Sequence, residues 1–159
     1  MAVDYFLKLD GIQGESQDSN HKDEIQIMSW SWGASQVSSV AGTGSGSGAG
    51  KVDCSDFSIM TYFDKATPKF FKNICAGTHI KSGTMNAVKS GADNKPYLKV
   101  DFGEMFVSSL QISGSSEIPT VSISFTYNTI KIDYSVQKED GTLTSTGPVT
   151  YSTKDNKLS

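Results

Sequence analysis

Arginine is absent from this sequence of 159 residues, and all fourteen basic residues are lysine. Proteins that recognise phosphates or guanine bases specifically rely on the guanidinium group, which forms two parallel hydrogen bonds. The formal net charge of −3 is mild and does not compensate for this lack. We therefore do not expect specific binding of nucleic acid.

Cysteine and histidine are scarce, with Cys54, Cys75, His21 and His79 as their only representatives. Their spacing matches no zinc motif, and no hydrolase or redox motif surrounds them. We therefore expect no catalytic residue, no metal, no cofactor and no enzymatic activity. Both cysteines adjoin apolar residues, which favours buried free thiols, and His21 is expected to be a hydrogen-bonded structural residue.

Long hydrophobic runs are also missing. No segment approaches the roughly 20 apolar residues of a membrane span, and the opening residues, which include Asp4 and Lys8, lack the pattern of a secretory signal. We expect no membrane insertion and folding in the cytoplasm. Because 36% of the residues are hydrophobic and no internal repeat or linker stands out, the sequence predicts one domain over residues 1–159.

The stretch DEIQIMSWSWGASQ predicts the central strand of the fold. Ile25 and Ile27 share one parity, whereas Met28, Trp30 and Trp32 share the other. Alternate residues of a strand lie on opposite faces, so this slip indicates a β-bulge that turns the apolar residues over to the other face. The sharper interpretation is a strand of a closed barrel with both tryptophans inside.

Glycine is concentrated in residues 38–51, which lack a strand pattern and predict a long loop. Lys51 follows the glycines, but no Ser or Thr comes directly after it, so this is not a phosphate-binding loop. The sequence on both sides reads as strands of the same domain, which argues against a linker. Loops of this length inside a compact domain are usually functional.

One helix is predicted, with Thr67 as its N-cap and Gly77 at its C-terminal end. Its spacing places a set of apolar residues on one face against the sheet. These residues are Phe70, Phe71, Ile74 and Cys75. Residues 97–112 and 121–136 alternate over lengths too great for a flat sheet, which is typical of a small barrel. The predicted fold is mostly β, a small barrel of two packed sheets with one short lateral helix and a long glycine-rich loop.

Several pieces of the chain together resemble the haemolysin-coregulated protein (Hcp) family, which forms the tube of the bacterial type VI secretion system. The matching pieces occur in order along nearly the whole chain. They are DYFLKLDGIQGES, H-x-x-E-I followed by SWSWGASQ, the glycine-rich loop, FDKATPKFF, V-S-S and SFTYNTIKIDY. The C-terminal YSTKDNKLS and the composition of the loop follow the family pattern only loosely.

This resemblance implies a hexameric ring whose copies stack into a tube that a contractile sheath expels. It implies three kinds of partner, namely further copies of the chain, sheath and spike components, and effector cargo in the lumen. The protein would then be cytoplasmic first and extracellular later, without a cleaved signal peptide. Neither an enzymatic activity nor a cofactor is implied.

Two sets of site residues follow from the matched pieces. Ring stacking is assigned to the extended loop, with Ser38, Ser39, Gly42, Gly44, Gly46, Gly48 and Lys51 as the candidates. Ser29 and Ser31 are predicted to face the lumen, and the alternative is that they lie under another strand. The rival function is a monomeric barrel that binds a small ligand in its interior. A core filled by the two tryptophans with Phe102 and Phe125 argues against such a cavity.

Overall fold

The computed structural model describes residues 2–38, 49–89 and 95–159. Most of these residues lie in strands. In chain order the elements are β1 Val3–Leu9, β2 Ile25–Ser31, β3 Ala34–Ser38, β4 Ala49–Cys54, β5 Phe57–Tyr62, α1 Thr67–Ala76, β6 Ile80–Lys89, β7 Pro96–Ser113, β8 Thr120–Gln137, β9 Leu143–Ser145, β10 Val149–Ser152 and β11 Lys157–Leu158.

Six antiparallel strands close into a barrel in the order β8-β5-β2-β1-β6-β7. Closure depends on the 18-residue strands β7 and β8, which pair with each other along almost their whole length. Strands β9 and β10 pair with the C-terminal half of β8, and β11 extends β10. Strands β3 and β4 form a separate hairpin. The predicted mostly β barrel with one short helix is confirmed.

The core of the barrel is aromatic and closely packed. The ring of Phe57 lies 4.5 Å from that of Phe102 and 6.2 Å from that of Phe125, measured between centroids. Phe70 of α1 meets Phe125 edge to face at 5.8 Å. Because these side chains are fully or almost fully buried, they fill the space in which a small ligand of a monomeric barrel would sit.

The bulge predicted in β2 is confirmed, because the register of β2 against β5 shifts between Ile27 and Ser29. Met28 is the extra residue, and it is 43% exposed although its parity matches that of the two tryptophans. A bulged residue has no partner on the neighbouring strand, so it does not follow the alternation. Trp30 and Trp32 pack against the core, in line with their predicted inward side, but each is only half-buried.

The predicted glycine-rich loop overlaps strands at both of its ends. Ser38 ends β3, and β4 begins at Ala49 and includes Lys51. Val52 and Cys54 lie in β4 and Phe57 begins β5, and these two strands belong to different sheets.

The helix begins one residue earlier than predicted, because Ala66 and not Thr67 is the N-cap. Thr67 is buried, and its hydroxyl accepts a hydrogen bond from the backbone N–H of Asp64 at 3.2 Å. Pro68 stands in the first turn, and Gly77 ends the helix with φ 64°, as predicted. This helix, the one helix in the described parts of the chain, is too short to span a membrane.

The helix buries less of its apolar face than predicted. Phe70 is fully buried, but Phe71 is 61% exposed, Ile74 is also exposed, and Cys75 is an exposed free thiol. The prediction of two buried thiols was therefore wrong for Cys75, and Cys54 is half-buried. The buried residues of the helix, Thr67 and Phe70, both lie in its first turn, so the apolar side chains of its later turns stay exposed.

Candidate functional site: an uncharged face and its two edges

The outer face of one half of the barrel is lined by hydroxyl and amide side chains. Residues paired directly across antiparallel strands share a face, and the registers align Ser31 with Ser58, Ser58 with Ser124 and Ser122 with Met60. Ser58 and Ser124 are hydrogen-bonded at 2.9 Å. We call this surface the hydroxyl face. Its members are Ser29, Ser31, Ser58, Met60, Tyr62, Ser109, Gln111, Ser113, Thr120, Ser122 and Ser124.

No charged residue occurs in the four strand segments that form this face, which are residues 28–31, 57–62, 106–113 and 120–127. The whole chain is 19% charged, so charge is segregated away from this part of the barrel. A surface without fixed charges neither attracts nor repels a partner by long-range electrostatics, and it can donate and accept hydrogen bonds through its hydroxyl groups.

The other half of the barrel carries oppositely charged residues that are paired across neighbouring strands. Lys99 is paired with Asp133, and Asp101 is paired with Lys131, on neighbouring strands β7 and β8. The hydroxyl of Thr84 donates a hydrogen bond to the Asp101 carboxylate at 2.6 Å. Opposite charges directly across a sheet stabilise it modestly and keep its surface hydrated.

The sheet that carries the hydroxyl face ends in two unpaired strand edges. Strand β7 pairs with β6 only as far as Met105, and β2 pairs with β1 only as far as Ile27. Within the described residues, no strand covers the outer edge of residues 106–113 or of residues 29–31. Such edges present free N–H and C=O groups to another chain. Their order, β7-β8-β5-β2, places the two edges on opposite sides of one four-stranded sheet.

A hydrogen-bonded clamp holds the root of the β3–β4 hairpin against the barrel. The indole N–H of Trp32 donates to the hydroxyl of Tyr127, which donates in turn to the carbonyl of Ser55 at 2.8 Å. The Ser55 hydroxyl and backbone also bond Gly33 across the root. Burial is the main cause that raises the pKa of Tyr127 to about 12, so the phenol stays protonated and the clamp is intact at physiological pH.

Two of the predicted stacking residues lie in the described part of this hairpin. Lys51 is exposed on β4, and Ser38 is the last residue of β3. The other stacking candidates lie outside the described residues. They are Ser39, Gly42, Gly44, Gly46 and Gly48.

His21 is a structural histidine, as predicted. Its Nδ1 lies 3.0 Å from Glu24 Oε2, and its ring stacks on Phe6 with centroids 4.4 Å apart. In the described parts of the chain, no group of three His, Cys, Asp or Glu side chains could hold a metal ion.

Sequence reasoning found Ser29 and Ser31 but missed the extent of the face to which they belong. The absence of charge from four separate strand segments was visible in the sequence. That these segments form one uncharged surface depends on the strand pairing that makes them neighbours. The Trp32–Tyr127 contact had no local signal, because the two residues are 95 positions apart.

Comparison with known proteins identifies the family of the chain. The family model described as type VI secretion system effector, Hcp, matches residues 6–134. Protein hcp1 from Pseudomonas aeruginosa is 38% identical over 154 residues, which are 95% of this chain and 94% of the relative.

Solved structures show the same fold. A type six secretion system protein superposes with a TM-score of 0.92 at 26% identity, covering 99% of this chain and 100% of the other. Hcp1 from Salmonella typhimurium has a TM-score of 0.81 at 33% identity, with complete coverage of both chains. The family model matches most of the chain, and the 38% identical relative aligns with nearly the whole of it. The chain belongs to the Hcp family of type VI secretion system proteins.

Proposed function

We propose that six copies of this chain form a ring, that rings stack into the inner tube of a type VI secretion system, and that the hydroxyl face lines the lumen. The observation that carries this proposal is the pair of free edges on opposite sides of one uncharged sheet. Head-to-tail pairing of such edges makes a heterologous interface, which closes into a ring when the rotation per subunit divides a full turn.

The lumen assignment gives Ser29 and Ser31 a role. When the β2 edge of one subunit pairs with the β7 edge of the next, their hydroxyl faces join into one continuous wall. Small neutral side chains leave room for a folded cargo protein and offer hydrogen bonds without selecting one sign of charge. The wall therefore suits effectors of different composition.

Stacking is assigned to the β3–β4 hairpin and the residues between its strands, from Ser38 to Lys51. The clamp at Trp32, Tyr127 and Ser55 supports this assignment, because it directs the hairpin root from the barrel in a fixed orientation. Ordering a glycine-rich segment costs about 1–2 kcal/mol per residue, so one hairpin contact is weak. Six contacts per ring, helped by a nucleating spike component, supply the avidity for a tube.

These assignments imply that subunits assemble in the cytoplasm and leave the cell when the sheath contracts. No catalytic step is part of this role. Native mass spectrometry of the purified protein, with negative-stain images, tests the proposal. The expected particle has six times the 17.1 kDa subunit mass and a ring shape. A monomer at micromolar concentration would contradict the ring, and a saturable small ligand on that monomer would support the rival function.

A further inference from the structure

The exposed side of helix α1 is an apolar surface that no other described part of the subunit covers. Phe71 is 61% exposed and Ile74 is 38% exposed, one turn apart on the same side of the helix. Large exposed apolar side chains are ordinary when single, but adjacent ones mark contact surfaces. We call Phe71 and Ile74 the helix patch.

A second apolar feature lies at the root of the β3–β4 hairpin. Strands β3, β4, β8, β10 and β11 border an open groove of about 320 Å³, and none of the described residues that line it is charged. Its walls include Trp32, Val52, Cys54, Ile132, Tyr151 and Leu158. Leu158 is 68% exposed at its lip. We call this feature the root groove.

The helix patch and the root groove adjoin opposite edges of the four-stranded sheet. The groove begins where β2 ends, because Trp32 directly follows Ser31. The helix leads into β6, whose first residue, Ile80, pairs with Met105 at the point where the free edge of β7 begins. The first residue of that edge, Phe106, has its ring 5.9 Å from His79. Three strand spacings of ~4.8 Å separate the two edges.

Charges of both signs border the root groove. The charged side chains between residues 65 and 78, around the helix patch, are Lys65, Lys69 and Lys72, all exposed. On the groove side, Asp53 is exposed beside Cys54, and Lys131 and Lys157 are exposed beside lining residues of β8 and β11. The apolar side chains, rather than charge, therefore carry the proposed contact.

We propose that in the ring the helix patch of one subunit docks into the root groove of the next. This inference rests on the head-to-tail ring proposed above, and it adds a side-chain contact to the pairing of strand edges. Edge pairing brings the β7 side of one copy against the β2 side of its neighbour, and it thereby brings these two uncovered apolar surfaces to the same seam. Each subunit then uses its patch once and its groove once, as a heterologous interface requires.

Charge substitutions on both sides of the seam test the docking. Phe71→Asp and Leu158→Asp place a carboxylate on the patch and at the groove lip, and both positions are exposed, so the subunit should still fold. Each is expected to raise the concentration at which half the rings dissociate by at least about tenfold, since a charge is costly in an apolar contact. Ile118→Asp is the matched control, because Ile118 is 64% exposed but belongs to neither feature. Native mass spectrometry across a dilution series gives the midpoints.

Crosslinking tests the contact independently of affinity. In a Cys54→Ser background, Leu158→Cys places an exposed thiol at the groove lip, and native Cys75 lies next to Ile74 on the exposed helix. A short bifunctional maleimide is expected to link these two thiols between subunits and to give a ladder that ends at the hexamer. Ser122→Cys in the same background places the thiol on the hydroxyl face instead and should give no ladder. Labelling with a monofunctional maleimide verifies that all three thiols react.

The outcomes separate this contact from the ring itself. A wild-type hexamer whose Phe71→Asp and Leu158→Asp variants dissociate like Ile118→Asp, with no Cys75 ladder, would overturn the docking and leave the ring in place. In that case the helix patch would be free for a different partner on the outside of the tube. A wild-type monomer would overturn both proposals.

Discussion

Tyr127 connects the barrel to the hairpin proposed to stack the rings. Its hydroxyl is both the acceptor for Trp32 and the donor to the Ser55 carbonyl. Tyr127→Phe removes both bonds and leaves two partly buried polar groups unpaired, which is expected to lower the free energy of unfolding by about 1–3 kcal/mol. Chemical denaturation measures this loss. Tyr134→Phe is the control, because Tyr134 is a surface residue, 46% exposed, and its hydroxyl should contribute within ~0.5 kcal/mol.

The same residue predicts a pH dependence with a definite sign. Its pKa is raised from 10 to about 12 in the folded protein, so folding favours the protonated phenol. The stability that this shift contributes is fully present below pH 10 and is lost as the pH rises toward 12. The difference in stability between the wild type and Tyr127→Phe should therefore shrink over this interval. A constant difference would contradict the assigned burial of the phenol.

Substitutions of Ser31 test whether the hydroxyl face lines the lumen of the ring. Ser31→Glu is expected to reduce capture of a cargo protein while rings still assemble, because six carboxylates would enter a neutral wall. Ser31→Gln separates bulk from charge, and Ser82→Glu places the same charge on an exposed residue outside the hydroxyl face. Co-purification of cargo with rings and the ring mass are the two measurements. Unchanged capture by Ser31→Glu would reject the lumen assignment.

Among the elements, the β3–β4 hairpin is the one whose removal should separate rings from tubes. Deleting residues 42–47 leaves both described strands and the clamp at their root intact, so rings should form with the wild-type mass. Tubes should be lost, together with export of the protein into the medium, because stacking contacts are removed. Electron microscopy and a secretion assay measure the two effects. Undiminished export by the shortened chain would contradict the stacking role.

The elements also show where the pattern of a sequence is informative. The bulge in β2 was predicted from a parity slip, and Gly77 at the end of α1 from the need for a left-handed residue. The buried face of α1 was predicted too widely, because helical periodicity orients Phe71 and Ile74 but does not say how much of the helix the barrel covers. Ser38 and Lys51 were assigned to a loop because glycine dominates the residues between them, although backbone pairing extends the strands that far.

For the whole molecule, the segregation of charge predicts how cargo binding responds to salt. The hydroxyl face holds no charged residue, so screening by salt has few electrostatic contacts with cargo to weaken there. Capture of cargo by assembled rings is expected to change by less than about threefold between low salt and 1 M salt, where the Debye length is ~3 Å. Pull-down at several salt concentrations tests this, with ring mass measured in parallel. A steep loss of cargo from intact rings would mean that charged residues make the contact.

The sequence by itself determined the class of the fold, most strand positions, the bulge and the family, because alternation, glycine placement and ordered motifs are local properties of the chain. It also determined that four strand segments are free of charge. Tertiary structure alone decided that these segments are neighbours in one sheet, that two edges of this sheet are uncovered, and that Tyr127 meets Trp32. Those facts depend on pairing between residues far apart in the chain, which local pattern does not record. The exposure of Phe71 and Ile74 was decided in the same way, by how much surface the barrel had left to cover them.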